Sequence, residues 1–181
     1  MLSAAGKYDD ATRLYENLLE RTDAADLRGE LSKLYAAAGR FDESEQQVRL
    51  GLDIARRQAV RFAAERRHLI GFYADHDPDE AVRLARADLE IRSDVQTYGW
   101  LAWALLQAGE PEEAVTYVES ALALGTEDAW LLYQAGSVYA AVGDVERART
   151  LLTHAIDLNP EFDIVHAPRA RALLEGLPGD D

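Results

Sequence analysis

Apolar residues in this chain recur every third or fourth position, stop, and then recur again. Between residues 95 and 128, Tyr98, Leu101, Ala102 and Leu105 fall on one face of a helix. Gly109 ends that face by supplying a left-handed residue. Pro111 follows where the first turn of a new helix tolerates proline. Glu110, Glu112 and Glu113 lie at the positive end of the second helix's dipole. That helix buries Ala114, Val118, Ala121 and Leu122, and Gly125 closes it. Residues 129–162 repeat the scheme with Leu132, Ala135, Gly136 and Tyr139, a break at Gly143, then Ala148, Leu152, Ala155 and Ile156, stopped by Asn159-Pro160. The pattern predicts antiparallel helical hairpins. Ala102 and Gly136 on first helices, with Ala114 and Ala148 on second helices, let paired backbones approach closely. A larger residue at Gly136 would overpack that contact by about 1–3 kcal/mol.

The joint between the two helices returns five times: Gly6-Lys-Tyr-Asp-Asp-Ala11, Gly39-Arg-Phe-Asp-Glu-Ser44, His76-Asp-Pro-Asp-Glu-Ala81, Gly109-Glu-Pro-Glu-Glu-Ala114 and Gly143-Asp-Val-Glu-Arg-Ala148. Successive starts are 33, 37, 33 and 34 residues apart. One helical turn signal per period in the thirties means stacked hairpins. The expected organisation is a single domain over 1–181. It comprises a truncated first repeat at 1–24, repeats at 25–58, 95–128 and 129–162, an irregular repeat at 59–94, and a capping helix with a tail at 163–181. Gly6 is expected to end a helix of which only Leu2 to Ala5 remain, so the chain is expected to be part of a longer repeat protein. In the irregular unit Leu69 replaces a small residue, His76 the glycine, and Asp88 a small residue of the second helix. A bend is expected near Arg56 to Ala59. At the end, Pro168 opens a short helix over Arg169 to Glu175 that covers the last hairpin through Ala170, Leu173 and Leu174. Residues from Leu177 onward are expected to be disordered.

These residues resemble the tetratricopeptide repeat, whose pattern runs aromatic, Leu-Gly and Tyr in the first helix, Ala, aromatic and Ala in the second, and a closing Pro. Residues 129–162 fit through Gly136, Tyr139, Ala148, Ala155 and Pro160; 95–128 through Tyr98, Leu101, Ala114 and Ala121; 25–57 through Leu31, Tyr35, Phe41 and Gly51, with Ser44 where alanine is usual. The wider arrangement looks like uncharacterised bacterial proteins of this kind. The resemblance implies an all-α, right-handed solenoid whose first helices line a concave groove that binds a peptide or a partner helix. The groove would be lined by Lys33, Arg66, Tyr73, Gln96, Trp103, Gln107, Trp130 and Tyr133. Large aromatics suit binding hot spots, and Lys33 and Arg66 suit acidic groups. Trp100, Trp103 and Trp130 equally suit packing between helices, and spacing alone leaves that open. The Lys–Asn–Arg carboxylate clamp of some family members is not matched, because the chain's two asparagines, Asn17 and Asn159, lie off such a face.

Composition narrows the partners. The net charge of −14 argues against bare nucleic acid. The densest basic run, Arg56, Arg57, Arg61, Arg66 and Arg67, points in several directions around a helix and reads as solvated. With no cysteine there is no disulfide and no thiolate chemistry. No apolar run of about 18 residues exists, so membrane insertion is not expected, and Met1-Leu-Ser-Ala-Ala does not read as a signal peptide. Asp75, Asp77 and Asp79 have the spacing that opens a calcium loop, but Glu80 stands where glycine is needed and Arg86 where the bidentate Glu belongs. A capped interhelical turn is the simpler reading. The histidines His68, His76, His154 and His166 form no helical zinc pair. No phosphate loop or nucleophile elbow is present. The expectation is a protein or peptide ligand, no cofactor, no metal and no enzymatic activity. Self-association through the incomplete N-terminal edge, or a spacer role in a larger protein, is the alternative.

Overall fold

The computed structural model describes residues 4–59 and 67–178, with side chains from residues 8–57 and 69–178. The described residues form ten helices and no strand: α1 (Ala4–Leu19), α2 (Ala25–Ala37), α3 (Phe41–Ala59), α4 (Arg67–His76), α5 (Pro78–Leu89), α6 (Val95–Gln107), α7 (Pro111–Leu122), α8 (Ala129–Ala141), α9 (Val145–Leu158) and α10 (His166–Gly176). Four hairpins, α2–α3, α4–α5, α6–α7 and α8–α9, stack in order, and each first helix also touches the next one along the series α2, α4, α6, α8. The result is an α-solenoid, with α1 against α2 at one end and α10 against α9 and α8 at the other.

The recurring joint is built in three of its five copies as a left-handed glycine closing a first helix. Gly39, Gly109 and Gly143 have φ of 78°, 81° and 80°. The N–H of the residue after each glycine bonds back into the last turns of the helix, Arg40 to the Tyr35 carbonyl, Glu110 to Leu105 and Asp144 to Tyr139. At the third copy α4 ends on His76, and Asp77 N–H donates to the Tyr73 carbonyl instead. The first copy differs from expectation: Gly6 lies inside α1, which runs on to Leu19. A glycine marks a helix end only when its left-handed conformation is used.

Small residues set the spacing between first helices. A Cβ on Gly29 would meet Phe72 of α4 at 2.9 Å, and one on Gly71 would meet Trp100 of α6 at 2.6 Å. A Cβ on Gly99 would meet Gln134 and Leu131 of α8 at 3.1 and 3.3 Å. Each glycine receives a large side chain from the next unit. Gly136 instead faces its own hairpin partner, with Leu152 Cγ 2.8 Å from an added Cβ.

The irregular unit keeps its place in the stack. α4 has ten residues while α3 runs to nineteen, so that Arg56 to Ala59, where a bend is expected, form the last turn of α3; residues 60–66 between the two helices lie outside the described residues. Asp88, a departure from the repeat pattern, is buried and ties α5 to α6 by accepting the Thr97 hydroxyl at 2.8 Å, with Arg92 Nε 3.3 Å from its other oxygen. A hydroxyl donor and a charge partner offset the desolvation cost that a bare carboxylate would carry there.

Candidate functional site

The first helices α2, α4, α6 and α8 share one face, the one expected to be concave, and the chain's own C-terminal segment sits on it. Asn159 leaves α9 in extended backbone, residues 159–165 cross the face without helix, and α10 begins at His166. Phe162 packs on Trp130 and Tyr133 with ring centroids 6.1 and 5.5 Å away. The His166 ring lies edge-on to Trp130 at 4.6 Å and near Tyr133 and Trp103 at 5.6 and 5.7 Å. Trp103, Trp130 and Tyr133 contact one another at 5.5–5.6 Å.

Asp163 carries the polar contact. Its Oδ1 accepts from the backbone N–H groups of Val165 and His166, each at 2.8 Å, and pairs with His166 Nδ1 at 2.8 Å. Its Oδ2 accepts from Lys33 Nζ, 130 residues upstream on α2, at 3.2 Å. Lys33 also pairs with Glu30 at 3.1 Å. Burial works against the Asp163 carboxylate, but the His166 hydrogen bond and the Lys33 charge hold it well below the usual carboxylate range. Burial likewise disfavours the Lys33 ammonium, and Glu30 and Asp163 more than offset it, so its pKa is raised. His76 is pushed down by burial, partly offset by Asp75.

The seating is incomplete. His166 is 1% exposed, and its Nε2 has no hydrogen-bond partner, with Asp75 Oδ1 3.9 Å away. Trp130 Nε1 is also buried without a partner. Each such group costs about 1–3 kcal/mol relative to a paired one.

The expected groove residues distribute as follows. Lys33 and Trp130 border one cleft of about 190 Å³ together with Glu30, Asp75, Phe72 and Trp100. Lys33 and Gln107 border a second with Asp75, His76, His166 and Arg169. Gln96 is exposed and meets Trp130 only in a third cleft, at the α6–α8 edge. Trp103 and Tyr133 belong to the aromatic cluster, but at 3% and 4% exposed they are covered by the C-terminal segment. Of the two placements that spacing left open, open on the groove or packed, the structure has the packed one for both. Tyr73 is corrected. It is completely buried and borders a different cleft, with Arg56, Asp77, Glu80 and Arg83, at the α4–α5 joint. Arg66 lies outside the described residues.

Sequence reasoning missed Phe162, Asp163, His166 and Arg169 as groove occupants and Asp75 as a lining residue. The one available signal was the connection from Asn159 to Val165, which carries an aromatic and an acidic residue side by side. Asp75 lies in the last turn of α4, and Asp77 takes the N-cap position of α5 without a side-chain capping bond. Among the described residues no group of three or more metal-ligating side chains converges. No described helix is long and apolar enough to cross a membrane. Leu177, expected to be loose, packs against the core, and residues 179–181 lie outside the described residues.

Comparisons with known proteins agree with the fold. A family model described as tetratricopeptide repeat matches residues 2–64 and 105–175, and a second model of the same description matches 68–129. No curated protein matches the chain. Among solved structures, a thermophilic TPR protein of Thermus thermophilus superposes with a TM-score of 0.55 at 15% identity, covering 96% of this chain and 94% of that one. That likeness concerns the fold alone.

Proposed function

We propose that this chain, which belongs to the tetratricopeptide repeat family, is a protein-interaction scaffold that holds an extended peptide or a partner helix on its concave face. Repeats of this family are generally protein–protein interaction modules and typically non-enzymatic. The observation that supports the concave face is its present content: seven residues of non-helical chain with an aromatic side chain seated on Trp130 and Tyr133 and a carboxylate on Lys33. A surface that seats one stretch of polypeptide through side-chain pockets is chemically suited to seat another.

The test is photo-crosslinking in cells of the source organism. A photoreactive residue is placed at Gln107 or Ala36 on the concave side, or at Glu45 or Glu119 on second helices. Adducts to a partner from the concave positions alone support the reading. Adducts from the second helices alone remove it.

Self-association is a second reading, favoured by Leu14 and Leu18, which α1 leaves 58% and 38% exposed four residues apart on one face. A monomer mass independent of concentration in light scattering counts against it.

A further inference from the structure

The C-terminal segment reaches all four first helices: α2 through Lys33, α4 through Asp75, α6 through Trp103, and α8 through Trp130 and Tyr133. Its chemistry is therefore a record of what the face accepts. We infer that residues 160–166 are an internal ligand, and that the partner this face recognises carries the same pair in sequence: a large aromatic residue followed directly by a carboxylate. The aromatic ring occupies the seat of Phe162 on Trp130 and Tyr133, and the carboxylate occupies the seat of Asp163 on Lys33. This rests on the concave-face reading above and names the ligand class for it.

Three observations converge. The Lys33–Asp163 contact joins elements 130 residues apart and has no role in pairing the hairpins. Pro160, Glu161 and Asn159 are exposed and the segment has no helical ladder of its own, which makes local opening easier than for any hairpin. With the internal ligand seated, Trp130 Nε1 on the face and His166 Nε2 of the ligand itself are unpaired. An external ligand presenting a backbone carbonyl to Trp130 would satisfy a donor that the internal one does not, and so could displace it.

While the internal ligand is in place, the apparent affinity for an external one is reduced by the fraction of molecules in which it is closed. The probe is a fluorescein-labelled peptide copying residues 159–166, titrated by anisotropy against the full chain and single-site variants, each checked for helicity by circular dichroism. Asp163→Asn keeps the shape of the internal ligand and removes its charge contact; Phe162→Ala removes its ring. Both are expected to bind the probe at least tenfold more tightly than the unmodified chain. Adding Lys33→Gln to either is expected to return binding to the starting level, and a probe with Asn in place of its Asp is expected to bind at least tenfold more weakly. Equal binding of both probes, or no gain in either variant, overturns the assignment. So does a variant that forms dimers in light scattering without binding the probe, since the occupant would then be a second copy. If the probe fails while crosslinks still form from Gln107 and Ala36, the ligand class is wrong and the face is right; if both fail, the face is wrong.

Discussion

Replacing Gly136 with alanine separates two opposing effects whose sizes the structure sets. Alanine in a helix interior is favoured over glycine by about 0.5–1 kcal/mol through backbone entropy. Against that, the new Cβ would lie 2.8 Å from Leu152 Cγ, 3.0 Å from Cδ2 and 3.2 Å from the Leu152 backbone nitrogen. Leu152 is fully buried in α9, so it cannot rotate away into solvent, and its nitrogen cannot move without shifting the helix. Overpacking of this kind costs about 1–3 kcal/mol, so the net change should be a destabilisation of about 0–2.5 kcal/mol by difference. For a chain of this size that lowers Tm by up to about 10 °C. The assay is urea denaturation followed by circular dichroism, on Gly136→Ala, Leu152→Ala and the double variant. In the Leu152→Ala background the two side-chain contacts are gone and only the backbone nitrogen at 3.2 Å remains, so Gly136→Ala should become distinctly less destabilising than in the unmodified chain. Gly176→Ala in α10, where an added Cβ meets nothing within 4 Å, serves as the control and should not destabilise. An equal gain in stability from Gly136→Ala in both backgrounds would refute the close-approach argument.

Other consequences follow from the same contacts. Gly109→Ala forces a side chain into φ of 81° with no compensating contact, and should cost about 1–2 kcal/mol in the same denaturation assay. Thr97→Val removes the hydroxyl that donates to buried Asp88 and should cost about 1–3 kcal/mol, whereas the exposed Arg86–Glu113 pair at 2.9 Å should change stability by less than about 1 kcal/mol when Arg86 becomes alanine. Asp163 has a lowered folded pKa, so its contribution is present above the ordinary carboxylate pKa of about 4 and is lost as pH falls further through the folded value. Tryptophan fluorescence should therefore report uncovering of Trp103 and Trp130 on acidification below that point, and Asp163→Asn should remove this pH dependence; an unchanged titration would count against the Lys33–Asp163–His166 contact. Deleting residues 166–181 uncovers Trp103 and the faces under Ala170 and Leu174, and should lower Tm and red-shift the emission; an unshifted Tm would show that α10 does not cap the stack.

The hairpin architecture was legible because its causes are local. The three- and four-residue spacing of Leu101, Ala102 and Leu105, the proline at position 111 and the left-handed glycines at 109 and 143 act within one or two turns of chain, and each appears in the structure where its residue type requires it. Gly6 shows the limit of that reading: the residue type permits a helix end, but nothing in its neighbourhood demands one, and α1 passes through it. The alternation of glycine and large side chain between first helices was half legible. Gly136 was recognisable as a close approach, whereas the matching of Gly29 and Gly51 to Phe72 and of Gly71 to Trp100 pairs residues in different units and needs the stacking register.

By itself the sequence determined the fold class, the period, the identity of the first helices and the presence of Trp103, Trp130, Tyr133 and Lys33 on them. Only the tertiary structure decided that these groups are covered, and by what. The solenoid brings α2 back toward the C-terminal segment, so that Lys33 and Asp163, 130 residues apart, come within 3.2 Å. No helical periodicity encodes such a contact. It depends on the rotation accumulated over four stacked hairpins, and that rotation is set by many small packing contacts such as Phe72 on Gly29 and Trp100 on Gly71.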